Sequence, residues 1–479
     1  MMLLGHLHKV VPFFWIILCS FSVNAKLVEG QSFTLPNGLQ VVVIPNHKAP
    51  VVSCALWVKA GTKDDPPGRS GIAHFLEHLM LKGASLTMAE DTVMKEMDVL
   101  GAEHNAATGF DLTVYYQRLP RHHLPRAMSL IAPRLQGLRL TLPIVTSERK
   151  VILEERSMRT DNIPEKQLLE GIFASLYWNH PYGRPTIGWR HEMESLSLED
   201  AQAFYTQFYT PQRMILVLAG DITLKDARNL VDQYYASLVP QEDISLAPLV
   251  EPPHHGLKTH LVNCHARIKK RSCYYAFLLD MGKHETISFK DAVGLELLDY
   301  LLSHDTLGYA YEYFVREKEI ATHVSIAMMS PTKLQPAVLC SVSPKEKITR
   351  EAIAHAWDMF FEELPSKIKA ENIEEAKRRL LRAQRLKSDS AFYGAEELGS
   401  AMVLGYSFEE ANAWPEVLQA LTIEDIQALA QTFVRSRHAV VTAEALPCEE
   451  GPSISREPRQ NKPLPAFVPV GTLVKGLTQ

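Results

Sequence analysis

The chain has 479 residues, 46% of them hydrophobic, and a formal net charge of −5 at pH 7. This length exceeds what a single hydrophobic core usually spans, so we expect two domains. The mildly negative charge and the lack of a basic stripe in the sequence argue against a nucleic-acid-binding protein.

The N-terminal segment has the features of a secretory signal peptide. Lys9 precedes an apolar run over residues 10–23, and the small residue Ala25 ends the segment. The apolar run is shorter than a membrane-spanning helix requires. We therefore expect residues 1–25 to be removed and the mature chain to be exported without a stable membrane span, into the periplasm if the source is a Gram-negative bacterium. An uncleaved membrane anchor is the alternative.

Residues 26–238 alternate between strand and helix patterns and form the first predicted domain, called here the first half. Strands are predicted over residues 32–35, 39–44 and 51–58, because β-branched and apolar runs there are bounded by turn residues. The further predicted elements are helices at 71–83, 87–100, 124–138 (kinked at Pro133), 147–159, 197–208 and 223–238, paired strands at 104–108 and 111–119, and a buried strand at 214–219.

The helix predicted over residues 71–83 carries the pattern His-x-x-Glu-His. His74 and His78 are four residues apart, so both imidazoles project from one face of the helix and can bind one metal ion. Glu77 lies close enough to that face to act on a water molecule beside the metal. The pattern is an inverted zincin signature. The alternative, an apolar helix that happens to carry these residues, would bury three polar side chains without partners.

A third ligand is available on the charged helix predicted over residues 147–159. Glu148 and Glu155 are seven residues apart and share one face of that helix. Two imidazoles and one carboxylate leave the fourth position of a zinc ion open, as in catalytic sites. We expect Glu155 to bind the metal and Glu148 to orient a neighbouring group, with Glu154 as the weaker candidate. Without the histidine pattern, a solvated charged helix would be the better interpretation.

Residues 71–83, 101–116 and 148–155 resemble the pitrilysin/insulinase family of metallopeptidases. The resemblance is closest to its short two-domain branch, which is similar to the mitochondrial processing peptidase, and it extends over essentially the whole mature chain. It implies one zinc ion per chain, bound by His74, His78 and Glu155, with Glu77 as the general base.

The resemblance also implies how substrate is bound. In the family, an extended peptide pairs with an edge strand, which in this sequence comprises Asn105, Ala106, Ala107 and Thr108. The two domains of such enzymes close over a chamber. The implied substrates are therefore peptides or unfolded polypeptides.

The rest of the chain reads as a linker, a second domain and a tail. Residues 239–258 contain several prolines and are typical of a linker. Residues 259–447, the second half, repeat the strand and helix order of the first half without a second His-x-x-Glu-His pattern. We therefore expect an α+β fold of two similar domains, each a mostly antiparallel sheet packed with helices. Residues 448–479 are predicted to be extended or disordered.

The second half departs from the family pattern at residues 302–311. Members of this branch often carry a glycine-rich turn followed by an arginine, but here Tyr309 or Ala310 stands about where that arginine would be. We therefore expect a homologous, zinc-free partner subunit to supply the missing contact with substrate in a heterodimer. The alternative is a non-catalytic family member that acts as an assembly subunit or a peptide-binding chaperone.

The cysteines are few and none has the spacing of a metal site. Cys264 and Cys273 flank a basic turn, and in an oxidising compartment they could pair across a hairpin. For the remaining cysteines of the mature chain, we expect buried free thiols.

Overall fold

The computed structural model describes residues 26–85, 87–241, 249, 251–252, 256–281, 287–304, 308–329, 336–387, 390–437 and 439–448. The predicted signal peptide, much of the predicted linker and the tail beyond Cys448 lie outside these ranges. Within them, no helix combines the length and the apolar character needed to cross a membrane.

The described residues of the first half form six strands and a set of helices around them. The strands are β1 (Gln31–Thr34), β2 (Gln40–Pro45), β3 (Val51–Val58), β4 (Glu103–Thr108), β5 (Thr113–Pro120) and β6 (Met214–Gly220). The α-helices are α1 (Ile72–Lys82), α2 (Thr92–Val99), α3 (Leu124–Ile131), α4 (Arg134–Gly137), α5 (Leu142–Arg156), α6 (Pro164–Leu176), α7 (Arg190–Met193), α8 (Leu198–Phe208) and α9 (Leu224–Tyr235). A π-helical turn, Ser157–Asp161, continues α5. Short 3-10 helices are Thr62–Asp64, Arg121–His123, Pro181–Gly183 and Pro211–Arg213.

The described part of the second half has five strands. They are β7 (Lys258–Cys264), β8 (Ser272–Leu278), β9 (Ala321–Met328), β10 (Ala337–Pro344) and β11 (Val440–Leu446). Its α-helices are α10 (Phe289–Ser303), α11 (Tyr309–Tyr311), α12 (Arg350–Lys367), α13 (Ala370–Lys387), α14 (Ala391–Val403), α15 (Phe408–Asn412), α16 (Trp414–Ala420) and α17 (Ile423–Ser436). A second π-helical turn, Glu312–Glu317, follows α11.

The two sheets repeat one topology. The first sheet has the order β1-β2-β6-β3-β5-β4 and the second has β7-β11-β8-β10-β9. Apart from β1, both sheets arrange their strands in the same order by position in the chain. In each, one parallel pair (β2 with β6, β7 with β11) accompanies antiparallel neighbours. This confirms the predicted α+β fold with two similar, mostly antiparallel sheets.

The start of α1 is fixed by its surroundings. Gly71 precedes the helix with φ of 86°, a left-handed conformation that favours glycine. A Cβ atom at this position would lie 2.6 Å from the carbonyl oxygen of Ile187. The buried carboxylate of Asp65 accepts hydrogen bonds from the backbone N–H groups of Gly71 (2.6 Å) and Ala73 (3.0 Å). These bonds satisfy donors that a helix start leaves free, so α1 is held at a defined angle.

Each half contributes one helix to the outer face of the other half's sheet. Helix α6 of the first half packs through Leu168 and Ile172 against residues of the second sheet, such as Ala276. Helix α14 of the second half packs through Leu398 against residues of the first sheet, such as Val217. The two halves are therefore joined by apolar packing as well as by the chain between them.

One predicted feature of the helices is confirmed, and one helix was not predicted. The kink predicted at Pro133 is confirmed, because α3 ends at Ile131 and α4 begins at Arg134. By contrast, α6 is absent from the sequence prediction. Its signal was present, since Pro164 occupies the first turn and buried Leu168 and Leu176 are spaced by eight residues.

The possible pairing of Cys264 with Cys273 is not found, and the expectation of a buried free thiol at Cys448 is wrong. Cys264 forms a disulfide with Cys448, whereas Cys273 is a buried free thiol. Strand β11 lies between β7, which ends at Cys264, and β8, which carries Cys273. The two cysteines are thus two strand spacings apart, roughly 9–10 Å, which is beyond the reach of a disulfide. Cys448 lies two residues beyond the end of β11, whose last residue, Leu446, pairs with Cys264.

Candidate metal centre

Helix α1 places the three predicted side chains in one cluster, in which His74 and Glu77 are buried and His78 is partly exposed. His74 and Glu77 are 9% and 7% exposed, and most of the helix is buried between the first sheet and neighbouring helices. One potential ligand atom from each of His74, Glu77 and His78 lies within 4.8 Å of the others. Within the described ranges, this is the group of His, Cys, Asp and Glu side chains that could hold a metal ion.

Glu155 reaches the same cluster from the end of α5. One of its oxygens, Oε2, lies 3.7 Å from His74 Nε2 and 3.4 Å from His78 Nε2. Ligand atoms at about 2.0–2.2 Å from a tetrahedral zinc ion are themselves roughly 3.3–3.6 Å apart. Two imidazole nitrogens and a carboxylate oxygen thus converge with spacings that suit one such ion. The structure brings together the three side chains that the sequence analysis selects as ligands.

Glu148 contacts the opposite side of the His78 ring. Its Oε2 lies 3.4 Å from His78 Nδ1, and its Oε1 pairs with Lys82 Nζ at 2.9 Å. This contact leaves His78 Nε2 directed at Glu155. A carboxylate on the second nitrogen of a ligand histidine fixes its tautomer and orientation. The position of Glu148 fits the orienting role predicted from its spacing.

The predicted substrate strand lies at the edge of the first sheet, next to Glu77. Strand β4 contains Asn105, Ala106, Ala107 and Thr108, and it pairs with β5 on one side only. Its last residue, Thr108, donates a hydrogen bond from Oγ1 to Glu77 Oε2. The edge strand and the predicted base are therefore in direct contact. Sequence spacing gives no indication of this hydrogen bond.

Arg159 is a residue of the site that the sequence analysis missed. It lies in the π-helical turn after α5, and its Nη1 is 2.6 Å from Glu155 Oε1. The two oxygens of Glu155 therefore face different partners, the histidine pair on one side and a guanidinium on the other. The Arg159 side chain is 73% exposed, so this positive charge stands at the surface beside the centre.

The two histidines have opposite protonation tendencies. Burial, together with the neighbouring His78, lowers the pKa of His74 to about 4. Burial also disfavours charge on His78, but contacts with Glu148 and Glu155 outweigh it and raise the pKa of His78 to about 9. In turn, the contact with His78 lowers the pKa of Glu155. A proton on His78 balances these carboxylates, and a divalent cation between the same side chains would take its place.

The donor set fits zinc. Neutral imidazoles and one carboxylate are ligands that zinc accepts, and three of them leave a position for water or substrate. His74 Nδ1 is buried without a hydrogen-bond partner among the described residues, so this ring has no anchoring contact comparable to that of His78. Zinc bound at Nε2 would supply an anchor. Burial raises the pKa of Glu77, which brings this carboxyl closer to the range of a general base at neutral pH.

Comparison with known proteins gives the same picture. The family model of insulinase (Peptidase family M16) matches residues 40–189, and that of the peptidase M16 inactive domain matches residues 195–380. The chain is 30% identical to the zinc protease PqqE of Helicobacter pylori over 308 residues, which are 63% of this chain and 67% of that protein. It is 31% identical to the probable mitochondrial-processing peptidase subunit beta of Schizosaccharomyces pombe over 248 residues, about half of each protein (51% and 52%).

A solved structure shares the fold. The crystal structure of a protease from Helicobacter pylori superimposes with a TM-score of 0.78 and 23% identity, over 88% of this chain and 100% of that chain. This structural match covers both halves of the chain. The family model that matches residues 195–380 is described as an inactive domain. This agrees with the lack of a second His-x-x-Glu-His pattern in residues 259–447.

Proposed function

The chain belongs to the insulinase family of peptidases (M16), and on that basis we propose that it is an exported zinc-dependent endopeptidase that hydrolyses peptides or unfolded polypeptides. The observation that carries this proposal is the convergence of His74, His78 and Glu155 beside Glu77. His74, His78 and Glu155 would hold one zinc ion per chain. Bound zinc lowers the pKa of water toward neutrality and polarises a peptide carbonyl.

Glu77 moves the protons of the reaction. As general base, its carboxylate takes a proton from the attacking water, and it then delivers that proton to the leaving amine. The hydrogen bond from Thr108 holds Glu77 Oε2, so the second oxygen is left for the water. Glu148 keeps the His78 ring in place through its contact with Nδ1.

The edge strand β4 binds the substrate. Asn105 to Thr108 offer backbone N–H and C=O groups on the side that no other strand covers in the described part of the sheet. An extended peptide adds to such an edge through main-chain hydrogen bonds, which tolerate many sequences. Because Thr108 ends this strand beside Glu77, a peptide added here runs toward the general base.

Peptide hydrolysis with and without chelator tests the proposed function. We expect the purified protein to cut a quenched fluorescent peptide within its sequence, to lose this activity with a zinc chelator, and to regain it when zinc is added back. Metal analysis should give one zinc per chain. Zinc binding without cleavage, in the presence of any partner that copurifies, would support the non-catalytic alternative instead.

We also propose that a homologous zinc-free subunit completes the enzyme. The hydroxyl of Tyr309 accepts a hydrogen bond from Asn372 at 2.9 Å, so this side chain is engaged within its own half. A family relative, the Schizosaccharomyces pombe protein, is named as a beta subunit. A donor to the developing oxyanion is often a large part of catalysis, so a partner that supplies it would raise activity strongly.

The heterodimer has a direct test. A pulldown from the native source should recover a chain with the same fold but no His-x-x-Glu-His pattern. Adding that chain to the purified protein should raise kcat/KM at least about tenfold. Recovery of this chain alone, with full activity in isolation, would refute the heterodimer.

Export is proposed from the signal-peptide pattern of residues 1–25 in the sequence and from one structural observation. The disulfide between Cys264 and Cys448 supports an oxidising compartment, where such bonds form and persist. Periplasmic fractionation of the native protein, with N-terminal sequencing of the mature chain, tests both the location and the cleavage site.

Arg159 should increase the affinity of the site for zinc. We expect Arg159→Ala to weaken zinc binding roughly 10- to 100-fold, as measured by competition with a chelator, because Glu155 Oε1 loses the contact that directs Oε2 at the histidines. The stability should change little, since exposed ion pairs contribute little.

The matched control for this substitution is Arg316→Ala. Arg316 forms the same i, i+4 pair with Glu312, at 3.0 Å and in the other π-helical turn, and it is likewise exposed. We expect it to leave zinc affinity unchanged. Equal zinc affinities for wild type and Arg159→Ala would show that Arg159 does not position Glu155.

A further inference from the structure

The repeated topology gives every element of the metal centre a counterpart in the second half. Helix α10 follows β8 as α1 follows β3, and β9 is an edge strand like β4. Helix α13 precedes α14 as α5 precedes α6, and α6 and α14 each pack on the opposite sheet. The counterpart of the metal centre is therefore the space between α10, the end of β9 and the end of α13.

A cavity of about 490 Å³ occupies this place. Its walls include Glu296 and Asp299 from α10, Met328 at the end of β9 and Gln384 near the end of α13. Asp299 corresponds to Glu77, because the backbone of Met328 lowers the pKa of Asp299 from a neighbouring position, the side chain of Thr108 contacts Glu77, and each of these neighbours ends its edge strand. The second half thus has a cavity at the place that corresponds to the metal centre, but other side chains stand there in place of the two histidines.

Polar groups in this cavity lack partners within the described ranges. Asp299 Oδ1 is buried and accepts no hydrogen bond. Gln384 is only 7% exposed; its Oε1 accepts from the Tyr393 hydroxyl at 2.6 Å, and its Nε2 has no partner. Because the Tyr393 hydroxyl can pair with either end of the amide, Gln384 can turn its nitrogen or its oxygen into the cavity. Buried groups of this kind are normally paired, which indicates a ligand.

The chemistry of the walls favours an organic cation over a metal ion. Carboxylates of Glu296, Asp299, Glu396 and Glu397 line the cavity, and its described lining residues include no lysine or arginine. They are too far apart to qualify as a metal-binding group of three. The volume would hold a molecule of several non-hydrogen atoms, much larger than a bare ion.

Aromatic side chains complete the site. Trp414 donates a hydrogen bond from Nε1 to Glu296 Oε2 at 2.7 Å, and Tyr393 and Tyr406 also line the cavity. Aromatic faces beside carboxylates attract amines and guanidinium groups. Burial raises the pKa of Glu296 to about 7 and that of Asp299 to about 6, and the positive charge of Lys387 offsets only part of this effect at Glu296.

We propose that this cavity binds a small organic cation, with an amine or guanidinium group held between Glu296 and Asp299 and its aliphatic part against Tyr393 and Trp414. The expected ligand is a free small molecule. The alternative source of the same amine or guanidinium group is a lysine or arginine side chain of a peptide. The proposal is independent of the zinc site, because none of these side chains takes part in the metal centre.

Calorimetric titration of the full chain with agmatine, which carries both a guanidinium and an amine, tests this proposal. We expect one molecule bound per chain with Kd below about 1 mM, and no binding of n-butylurea, an uncharged analogue. Glu296→Gln and Asp299→Asn should each weaken binding roughly tenfold or more, because a charged hydrogen bond is lost. Glu312→Gln, an exposed carboxylate in the same half, is the matched control and should leave Kd unchanged.

The results of these titrations either overturn the proposal or distinguish a small molecule from a peptide side chain as the ligand. No agmatine binding, or binding that both cavity substitutions leave unchanged in folded protein, would overturn the proposal. The Glu77→Gln protein, titrated with an arginine-containing peptide, covers the second source of the chemistry. Binding of that peptide, lost in the Glu296→Gln background, together with no binding of agmatine, would replace the small ligand by a peptide side chain.

Discussion

Replacing Glu77 by glutamine should lower kcat by roughly three orders of magnitude while the protein retains its zinc. Glutamine has the same shape and still accepts the hydrogen bond from Thr108, so the geometry around residue 77 is preserved. What is lost is the carboxylate that accepts a proton from water, a contribution of about 10²–10⁴ in general-base catalysis. Single-turnover hydrolysis of a quenched peptide, with zinc measured in the same samples, gives both quantities.

This substitution also separates two assignments of the third ligand. Glu77, like Glu155, lies near the histidine pair, since its carboxylate belongs to the group within 4.8 Å. If Glu77 were a zinc ligand, Glu77→Gln would lose metal together with activity. Activity near that of the wild type would remove Glu77 from catalysis altogether.

Replacing Glu155 by glutamine should weaken zinc binding by more than about 100-fold and abolish hydrolysis at limiting zinc. Loss of an outer contact to a ligand already costs about 10–100-fold in metal affinity, and Glu155 is proposed to bind the metal itself. The loss of its negative charge also leaves the cation with less compensation. Competition with a chromophoric chelator measures the dissociation constant directly.

Glu154→Gln is the matched control for this prediction. Glu154 is the neighbouring glutamate on the same helix, and its side chain is exposed, away from the histidines. The same chemical change there should leave zinc affinity and kcat unchanged. Similar losses in both variants would mean that the helix, rather than one carboxylate, determines zinc affinity.

Most residues of the candidate site could be predicted from their spacing in the sequence. The separation of His74 and His78 by one helical turn, and of Glu148 and Glu155 by two, places each pair on one face of its helix, and the structure has both arrangements. That the two helices face each other came from the family resemblance and from the chemistry of zinc. The contact between them, at 3.4 and 3.7 Å, is a property of the tertiary structure.

Contacts that depend on packing could not be predicted in the same way. Arg159 meets Glu155 because a π-helical turn follows α5, and nothing in its spacing distinguishes it from a solvated arginine. The disulfide of Cys264 with Cys448 follows from strand order, since β11 returns to lie between β7 and β8. The placement of α6 and α14 on opposite sheets likewise requires both halves at once.

The most direct test of the central claim is the position of zinc in crystals of the zinc-loaded protein, from anomalous differences measured on both sides of the zinc absorption edge. We predict one peak per chain, about 2.0–2.2 Å from His74 Nε2, His78 Nε2 and one oxygen of Glu155. A peak outside coordinating distance of Glu155, or no peak between the two histidines, would contradict this account.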